Sequence, residues 1–280
     1  MDDTAEPPWP PLAGCVTRRS RHWYQIGLPH AGPRRYALYP DGLAQLVIGH
    51  ASGPLVLGPR ARLRTFGLDV PTPCLGVPTP CLGVHMTPRV AHALLGQPMN
   101  RLAGAVAELS DVAGAVAEGL VRALGAAWSW PSAFALADRF LGERLAGYVP
   151  EADAVTVAWR LLVRAAGRMT VAELAERTGM SERLLELRFR EQIGLSPKTS
   201  ARVLRLRYAL RLLATGRPAA RVATECGFYD QAHLNHDCKA LTGRRPSSIA
   251  GAGGELQRHL AHFGFVQDWL AGLDDHDEGG

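Results

Sequence analysis

A pattern of small and capping residues near the C-terminus constrains the fold more than any other feature of this 280-residue chain. Ala175 is followed after three residues by Gly179 and then, after one more, by Ser181. A small alanine lets two helices cross closely, and a glycine just past a helix takes the left-handed conformation without steric penalty. A serine hydroxyl accepts a hydrogen bond from a free N–H group at the start of the next helix. The spacing therefore predicts a helix-turn-helix.

The pattern occurs a second time, with Ala223, Gly227 and Asp230 in the same order. Asp230 takes the capping position and stands 49 residues after Ser181 in the chain. A single copy is common in helical proteins, but two copies in tandem indicate a double helix-turn-helix domain. The apolar residues that we expect on the inner faces of its helices are Val171, Leu174, Ala175, Leu185 and Phe189 in the first copy and Leu234, Cys238 and Leu241 in the second.

One long helix is predicted between the two copies. Pro197 suits the first turn of a helix, and Gly216 suits its end. Apolar residues at helical spacing form a stripe along this helix, at Val203, Leu206, Leu210 and Leu213. At 1.5 Å per residue, roughly 18 residues make a rod of about 27 Å. A rod of this length can place two recognition helices about one DNA turn, ~34 Å, apart on the same side of a duplex.

Positive charge is concentrated in the same segment. Residues 168–250 contain 15 Lys and Arg against 8 Asp and Glu, a net charge of +7. Residues 1–167 have a net charge of +3 and residues 251–280 a net charge of −5, which gives +5 for the whole chain. A local basic surface attracts polyanions and speeds their encounter. The charge distribution therefore favours a nucleic acid as the partner of the C-terminal domain.

The N-terminal half predicts a small β-rich domain followed by a helical connector, so that the predicted fold class is α+β. Short apolar segments broken by Gly and Pro indicate strands joined by tight turns, at RRYALYP, AQLVIGH, GPLVLGP and RLRTFGL. Helical spacing predicts two helices next, over AVAELSDVAGAVAEGLVRALGAA and SAFALADRFLGERLAGY. The predicted parts are a flexible Pro-rich segment at 1–20, a β-rich sensor or dimerisation domain at 21–95, a helical connector at 96–160, the all-α helix-turn-helix domain at 161–250, and a C-terminal helix with an acidic tail at 251–280.

An identical tandem repeat, PTPCLGV, occupies residues 71–77 and 78–84. Its four prolines exclude a regular helix and disfavour a central strand, so we expect an extended loop. The repeat brings Cys74, Cys81, His85 and His92 close together in sequence. Structural zinc sites usually space paired cysteines by two to four residues, whereas six residues separate these two, so we predict no metal site and no cofactor. The five cysteines of the chain are odd in number and irregularly spaced, which argues against a disulfide framework.

The C-terminal segment resembles the DNA-binding domain of the AraC/XylS family of bacterial transcription regulators. The residues that carry the resemblance are AELAERTGMSERLLELRFREQIGLSPK, the linker RLRYALRLLATG, and VATECGFYDQAHLNHDCKALTGRRPSS. The last stretch is similar to the family's Gly-Phe-x-Asp-Gln-x-His-Leu signature and to its Thr-Gly-x-x-Pro ending. The resemblance covers roughly residues 165–250. A weaker likeness, in LYPDGLAQLVIGHASGPLVLGP, connects the N-terminal half to a small β domain that precedes this module in some members.

The resemblance implies that the helices beginning near Ser181 and Asp230 enter adjacent major-groove segments. The positions that it implies for base reading are Arg183, Leu184, Glu186 and Leu187 in the first helix and Gln231, Ala232, His233, Asn235 and His236 in the second. Arginine suits guanine, Gln and Asn suit adenine, and Glu accepts from the cytosine amino group. The candidates for phosphate contacts, which set register without reading sequence, are Arg190, Lys198, Arg244 and Arg245.

Three positions depart from the family's pattern. Leu187 and His236 stand where the family often has arginine, and Cys238 stands where it usually has a core phenylalanine. Leucine can still contact a thymine methyl group, and histidine can still donate a hydrogen bond. We therefore expect weaker DNA binding or an unusual target site, and we expect both Cys226 and Cys238 to be small core residues rather than redox sensors.

The predicted function is that of a sequence-specific, double-stranded-DNA-binding transcription regulator, an activator or a repressor, and not of an enzyme. The resemblance leaves room for a small-molecule effector in the N-terminal domain, for RNA polymerase as a partner and for a dimer. One alternative is a degenerate helix-turn-helix protein that acts through a protein partner, and another is a DNA-repair enzyme with a metal-held cysteine. The acidic, Pro-rich start lacks the pattern of a secretory signal and no stretch is apolar enough to span a membrane, so we expect a cytoplasmic protein.

Overall fold

The structure, a computed structural model, has the predicted α+β fold: an antiparallel sheet in the N-terminal region and a helical C-terminal part. It describes residues 16–19, 23–28, 34–38, 40, 42–49, 55–62, 64–68, 81–114, 118–120, 122, 124, 130–147 and 153–250. The chain divides into two compact units, of which the first contains most of the sheet region and the second contains the helices that follow residue 150. The predicted C-terminal helix and acidic tail at 251–280 lie outside the described residues.

Eight strands are described, and their pairings are antiparallel wherever a register is given. They are β1 (Val16–Arg19), β2 (Trp23–Leu28), β3 (Arg34–Leu38), β4 (Ala44–Gly49), β5 (Leu55–Leu57), β6 (Arg64–Leu68), β7 (Cys81–Met86) and β8 (Val106–Glu108). Six of them form a sheet in the order β1-β2-β7-β4-β5-β8, and β3 pairs with β6. The four apolar segments singled out in the sequence contain β3 to β6, which confirms those strand predictions. Strand β1 lies within the segment 1–20 that we predicted to be flexible.

The second copy of the tandem repeat ends in a central strand rather than in a loop. Its last four residues, 81–84, begin β7, which pairs with β2 on one side and β4 on the other. The prediction of an extended loop is wrong for these residues because they follow the last of the four prolines. Their N–H groups are therefore free to join both hydrogen-bond ladders. Residues 71–80 lie outside the described residues.

The first helix predicted for the connector begins later than expected. Val106–Glu108 forms β8, an edge strand that pairs with β5, and the helix α2 spans only Leu109–Ala113. The helix prediction is wrong for β8 because backbone pairing with β5 overrides the local helix propensity of these three residues. The second predicted helix is present as α3 (Trp130–Arg144), with Pro131 in the first turn, where its missing N–H group costs no hydrogen bond.

The core of the first unit lies between the six-stranded sheet and its helices. The helix α1 (Pro88–Leu95) is capped by Thr87, whose hydroxyl accepts a 3.4 Å hydrogen bond from the N–H of Val90. Large apolar residues from the sheet and from α1, α2 and α3 pack into one cluster, among them Leu46, Val56, Val84, Leu94, Leu109, Phe134 and Leu141. Alternate residues of β4 and β7 belong to this cluster, at Ala44 and Leu46 and at Leu82, Val84 and Met86, so one face of the sheet lies in the core.

The second unit is all-α in its main body and carries the two predicted motifs. Its helices are α4 (Ala154–Arg164), α5 (Val171–Thr178), α6 (Glu182–Ile193), α7 (Pro197–Ala214), α8 (Ala219–Glu225), α9 (Gln231–Thr242) and α10 (Pro246–Ala250). Helix α4 crosses the boundary that we predicted between connector and C-terminal domain at residue 160, and it packs on α5, α6 and α7. Within the described ranges, no helix is both long enough and apolar enough to cross a membrane.

Candidate nucleic-acid interface

The first motif is formed by α5 and α6, and local hydrogen bonds fix both ends of its turn. The side chain of Thr170 accepts from the N–H of Glu173, and the Glu173 carboxylate accepts from the Thr170 N–H at 2.7 Å, which is a capping box. The Thr170 hydroxyl also donates to this carboxylate at 2.8 Å, and the two hydrogen bonds that the carboxylate accepts, from the Thr170 N–H and hydroxyl, hold the pKa of Glu173 below its usual value. Gly179 ends α5 in the left-handed conformation, with φ 66°, and the Ser181 hydroxyl caps α6 by accepting from the N–H of Leu184 at 3.3 Å.

The second motif, formed by α8 and α9, has the same turn. The residue after the glycine donates its N–H to the carbonyl of the motif's alanine in both copies: Met180 to Ala175 at 3.1 Å and Phe228 to Ala223 at 2.9 Å. Gly227 has φ 75°, in the same left-handed region as Gly179. The Asp230 carboxylate caps α9 by accepting from the N–H of His233 at 2.7 Å. The two predicted helix-turn-helix motifs, with their predicted caps, are therefore both present.

The inner faces of the recognition helices match the predicted apolar residues. Leu185 and Phe189 of α6 are fully buried, and Phe189 packs against the ring of Trp159 from α4 with centroids 6.3 Å apart. On α9, Leu234 and Cys238 are also fully buried. The predicted stripe of α7 is buried as well, at Val203, Leu206, Leu210 and Leu213. With one face of each recognition helix held in the core, the opposite faces are directed outward.

Helix α7 holds the second recognition helix through an ion pair that the sequence did not reveal. Arg202 binds the Asp237 carboxylate with two donors, at 2.7 Å from Nη2 and 3.3 Å from Nε. The Asp237 side chain is only 4% exposed, whereas that of Arg202 is 33% exposed. Asp237 follows Leu234 by three residues and precedes Cys238, so helical spacing does place it towards the inner face. The ion pair links α9 to α7 at one defined position along each helix.

A second arginine of α7 contacts the turn of the second motif. The guanidinium of Arg205 lies 5.3 Å from the centroid of the Phe228 ring and donates to the Gly227 carbonyl at 3.4 Å. Burial lowers the pKa of Arg205. The His233 ring meets Phe228 edge to face at 5.3 Å, and its Nδ1 accepts from the Tyr229 N–H at 3.2 Å. His233 is therefore part of the packing around the turn.

All four residues implied for base reading on α6 are exposed. The side chain of Arg183 makes no hydrogen bond or ion pair with any residue that the structure describes. Leu184 is 44% exposed and Leu187 63% exposed. Glu186 instead accepts two hydrogen bonds from Arg190, the shorter at 2.8 Å, so this base-reading candidate and this phosphate candidate are paired with each other.

The candidates on α9 differ among themselves. Gln231, Ala232 and His236 are exposed, and Asn235 is half-buried. Among the described residues, none forms a side-chain hydrogen bond with Gln231, Asn235 or His236. His233 is the exception, because its ring is held between Phe228 and the Tyr229 N–H. Its Nε2 also lies 3.8 Å from the buried Asp237 carboxylate.

The remaining phosphate candidates border the recognition helices. Lys198 is exposed in the first turn of α7, and Arg244 and Arg245 are exposed in the short connection between α9 and α10. Their side chains have no ion-pair partner in the part of the chain that the structure describes. Tyr229, which we did not predict, is 93% exposed immediately before the cap of α9. Its position between Phe228 and the helix cap Asp230, in a turn, was the sequence signal that could have predicted its exposure.

The cysteines of this unit are packing residues, as expected. Cys226 and Cys238 are both buried with free thiols. Burial raises the pKa of each to about 11. The Cys238 sulfur lies 3.7 Å from the hydroxyl of Thr242, which donates to the Cys238 carbonyl at 2.7 Å. Thiols of this kind are poor nucleophiles near neutral pH.

The cysteines and histidines in and just after the tandem repeat belong to the first unit. His85 is buried in β7, and His92 lies in α1. Cys74 and the side chain of Cys81 are outside the described residues. Across the described ranges, no three His, Cys, Asp or Glu side chains are close enough together to hold a metal ion.

Comparisons with known proteins agree with this geometry for the C-terminal unit. A family model described as a helix-turn-helix domain matches residues 174–251, which contain both turns and both recognition helices. No curated protein matches the chain. Solved structures of ToxT from Vibrio cholerae are similar: one from O395 has 14% identity and a TM-score of 0.42 and covers 84% of this chain and 100% of its own. Another, bound to an unsaturated fatty acid, has 13% identity and a TM-score of 0.40 and covers 84% of this chain and 97% of its own.

The family match and the two equivalent turns identify the C-terminal unit as a helix-turn-helix domain. Each motif has a left-handed glycine, a capped recognition helix and an exposed outer face, and an 18-residue helix joins them. Residues 174–251 are therefore a helix-turn-helix domain whose two motifs and linker helix have the AraC/XylS arrangement.

Proposed function

We propose that the protein is a sequence-specific regulator of transcription that inserts α6 and α9 into adjacent major-groove segments of one DNA duplex. The observation that carries the proposal is the equivalence of the two motifs, each of which presents a capped recognition helix with uncommitted polar side chains. The linker α7 has 18 residues, which corresponds to about 27 Å. This length suits two helices that reach successive turns of the same duplex face.

The unpaired side chains divide into two functional groups in this proposal. Arg183 on α6 and Gln231 and Asn235 on α9 read bases, because their donors are free and match guanine and adenine edges. Lys198, Arg244 and Arg245 contact phosphates. Glu186 and Arg190 have a minor role in this proposal, because the ion pair between them must break before either side chain contacts DNA. We assign His233 to holding the turn and not to reading a base.

The experiment measures affinity for a duplex selected from a random pool, over a series of salt concentrations. Arg183→Ala and Gln231→Ala should relax sequence preference, because each removes a base contact, at a cost of about 1–3 kcal/mol on the selected site. Arg244→Ala should weaken all sequences alike and lower the salt slope by about one.

Arg217→Ala is the matched control, because it removes the same charge from a side chain that is paired with Glu225 at 2.8 Å. It should change neither preference nor salt slope by a comparable amount. A wild-type protein that shows no preference for any duplex, at any salt concentration, would contradict the proposal. The sensing or dimerising role of the first unit, with its effector, stays a prediction.

A further inference from the structure

Large apolar side chains are exposed at four positions among the described residues, and three of these lie in the helix-turn-helix motifs. Leu184 and Leu187 are on α6, and Tyr229 precedes α9. A single exposed leucine needs no explanation. Two leucines three residues apart on the outer face of one recognition helix form a continuous apolar surface, because residues at this spacing are neighbours on a helix.

Leu187 stands at the centre of that outer face. A helix turns about 100° per residue, so Leu187 lies about 160° around the axis from both Leu185 and Phe189, the fully buried residues of α6. A side chain in this orientation is the one that reaches deepest when the helix enters a groove. The position therefore belongs to the contact surface and not to the edge of the core.

Most charged side chains around the leucines form ion pairs with each other. Arg188 pairs with Glu191 at 3.2 Å, and Arg190 pairs with Glu186 at 2.8 Å. Arg183 remains, four residues before Leu187 and on the same side of the helix, with no partner in the described part of the chain. An apolar surface beside one free guanidinium matches the floor of a major groove, where thymine methyl groups lie close to acceptor atoms and phosphates.

We propose that α6 recognises thymine through its 5-methyl group, with Leu187 as the contacting residue and Leu184 beside it. This inference rests on the proposed function. It gives the two recognition helices different chemistry, since α6 reads methyl groups while α9 reads hydrogen-bonding edges through Gln231 and Asn235. The thymine methyl is exposed only in the major groove and distinguishes thymine from every other unmodified base.

The test replaces each thymine of the selected duplex, one at a time, with uracil, which removes the methyl group and keeps the base pair. Within the part of the site whose preference Arg183→Ala relaxes, one or two replacements should weaken binding about fourfold, as expected for exposing one buried methyl-sized group. In Leu187→Ala the same replacements should have no effect. In His236→Ala, which alters α9, the uracil penalty should remain.

Leu187 is 63% exposed, so Leu187→Ala should leave the unfolding midpoint unchanged, and circular dichroism checks this. Full affinity for the uracil duplexes, together with a preserved sequence preference, would overturn the thymine proposal and leave the proposed function standing. Unchanged DNA binding by Leu187→Ala would also overturn it and would favour a protein partner for this surface. Absence of any sequence preference in the wild type would instead contradict the proposed function itself.

Discussion

Arg202 and Asp237 share an ion pair but not an environment, since the arginine side chain is 33% exposed and the aspartate side chain only 4%. Removing the arginine leaves a buried carboxylate without its two guanidinium hydrogen bonds, whereas removing the aspartate leaves an arginine that water can reach. We expect Arg202→Ala to lower the free energy of unfolding by about 2–4 kcal/mol and Asp237→Ala by about 1 kcal/mol. Urea denaturation measures both.

The double variant separates this explanation from a loss of packing. If the unpaired carboxylate is the cause, Arg202→Ala combined with Asp237→Ala should be close in stability to Asp237→Ala alone, because no unpaired buried charge remains. Equal losses in the two single variants would contradict the explanation by an unpaired buried carboxylate, and losses that add in the double variant would show that the ion pair does not fix α9 to α7.

At the scale of one helix, Asp230 both caps α9 and places a negative charge at its first turn. Asp230 accepts from the His233 N–H at 2.7 Å, at the end of the helix that we place in the groove. Asp230→Ala should destabilise the domain by about 1 kcal/mol through loss of the cap. Asp230→Asn keeps an acceptor and removes a negative charge, so it should be nearly as stable as the wild type and should bind DNA more tightly at low salt. Titration calorimetry and thermal unfolding of both variants check this, and weaker binding by Asp230→Asn would contradict it.

The capping box of α5 predicts a pH dependence of stability. The pKa of Glu173 is lowered below 4.5 by the hydrogen bonds from Thr170, so the folded state favours the carboxylate. The ionised Glu173 side chain therefore contributes to the stability of the folded state above pH 4.5, and this contribution disappears as the pH falls through the lowered pKa. Glu173→Gln keeps the hydrogen bond without the charge. The stability difference between wild type and variant should therefore shrink as the pH falls below 4.5, and a difference that is constant over this range would contradict the assignment.

At the scale of the whole molecule, the second unit was largely predictable because its decisive signals are local. The glycine, the cap and the apolar spacing of each motif act over a few residues, and Pro197 marks the start of α7. The first unit was predicted less well. Strand β7 follows a Pro-rich repeat, and β8 has a helix-like sequence, and both depend on partner strands distant in the chain. Long-range pairing leaves little trace in local composition.

The candidate site shows the same division. The resemblance implied base-reading positions at Arg183, Leu187 and Gln231, and all three side chains are exposed. The ion pair between Arg202 and Asp237 and the engagement of His233 by Phe228 were not predicted, because both depend on how α7 and α9 meet. Side chains that look equivalent on one helix can be free or committed according to a neighbouring helix.

The central claim is that one duplex receives both recognition helices, and selection of bound sequences from a random pool tests it most directly. The account predicts two conserved blocks whose centres lie about 10–11 base pairs apart. Arg183→Ala should relax one block and Gln231→Ala the other. A single block, or the same block relaxed by both variants, would contradict the account.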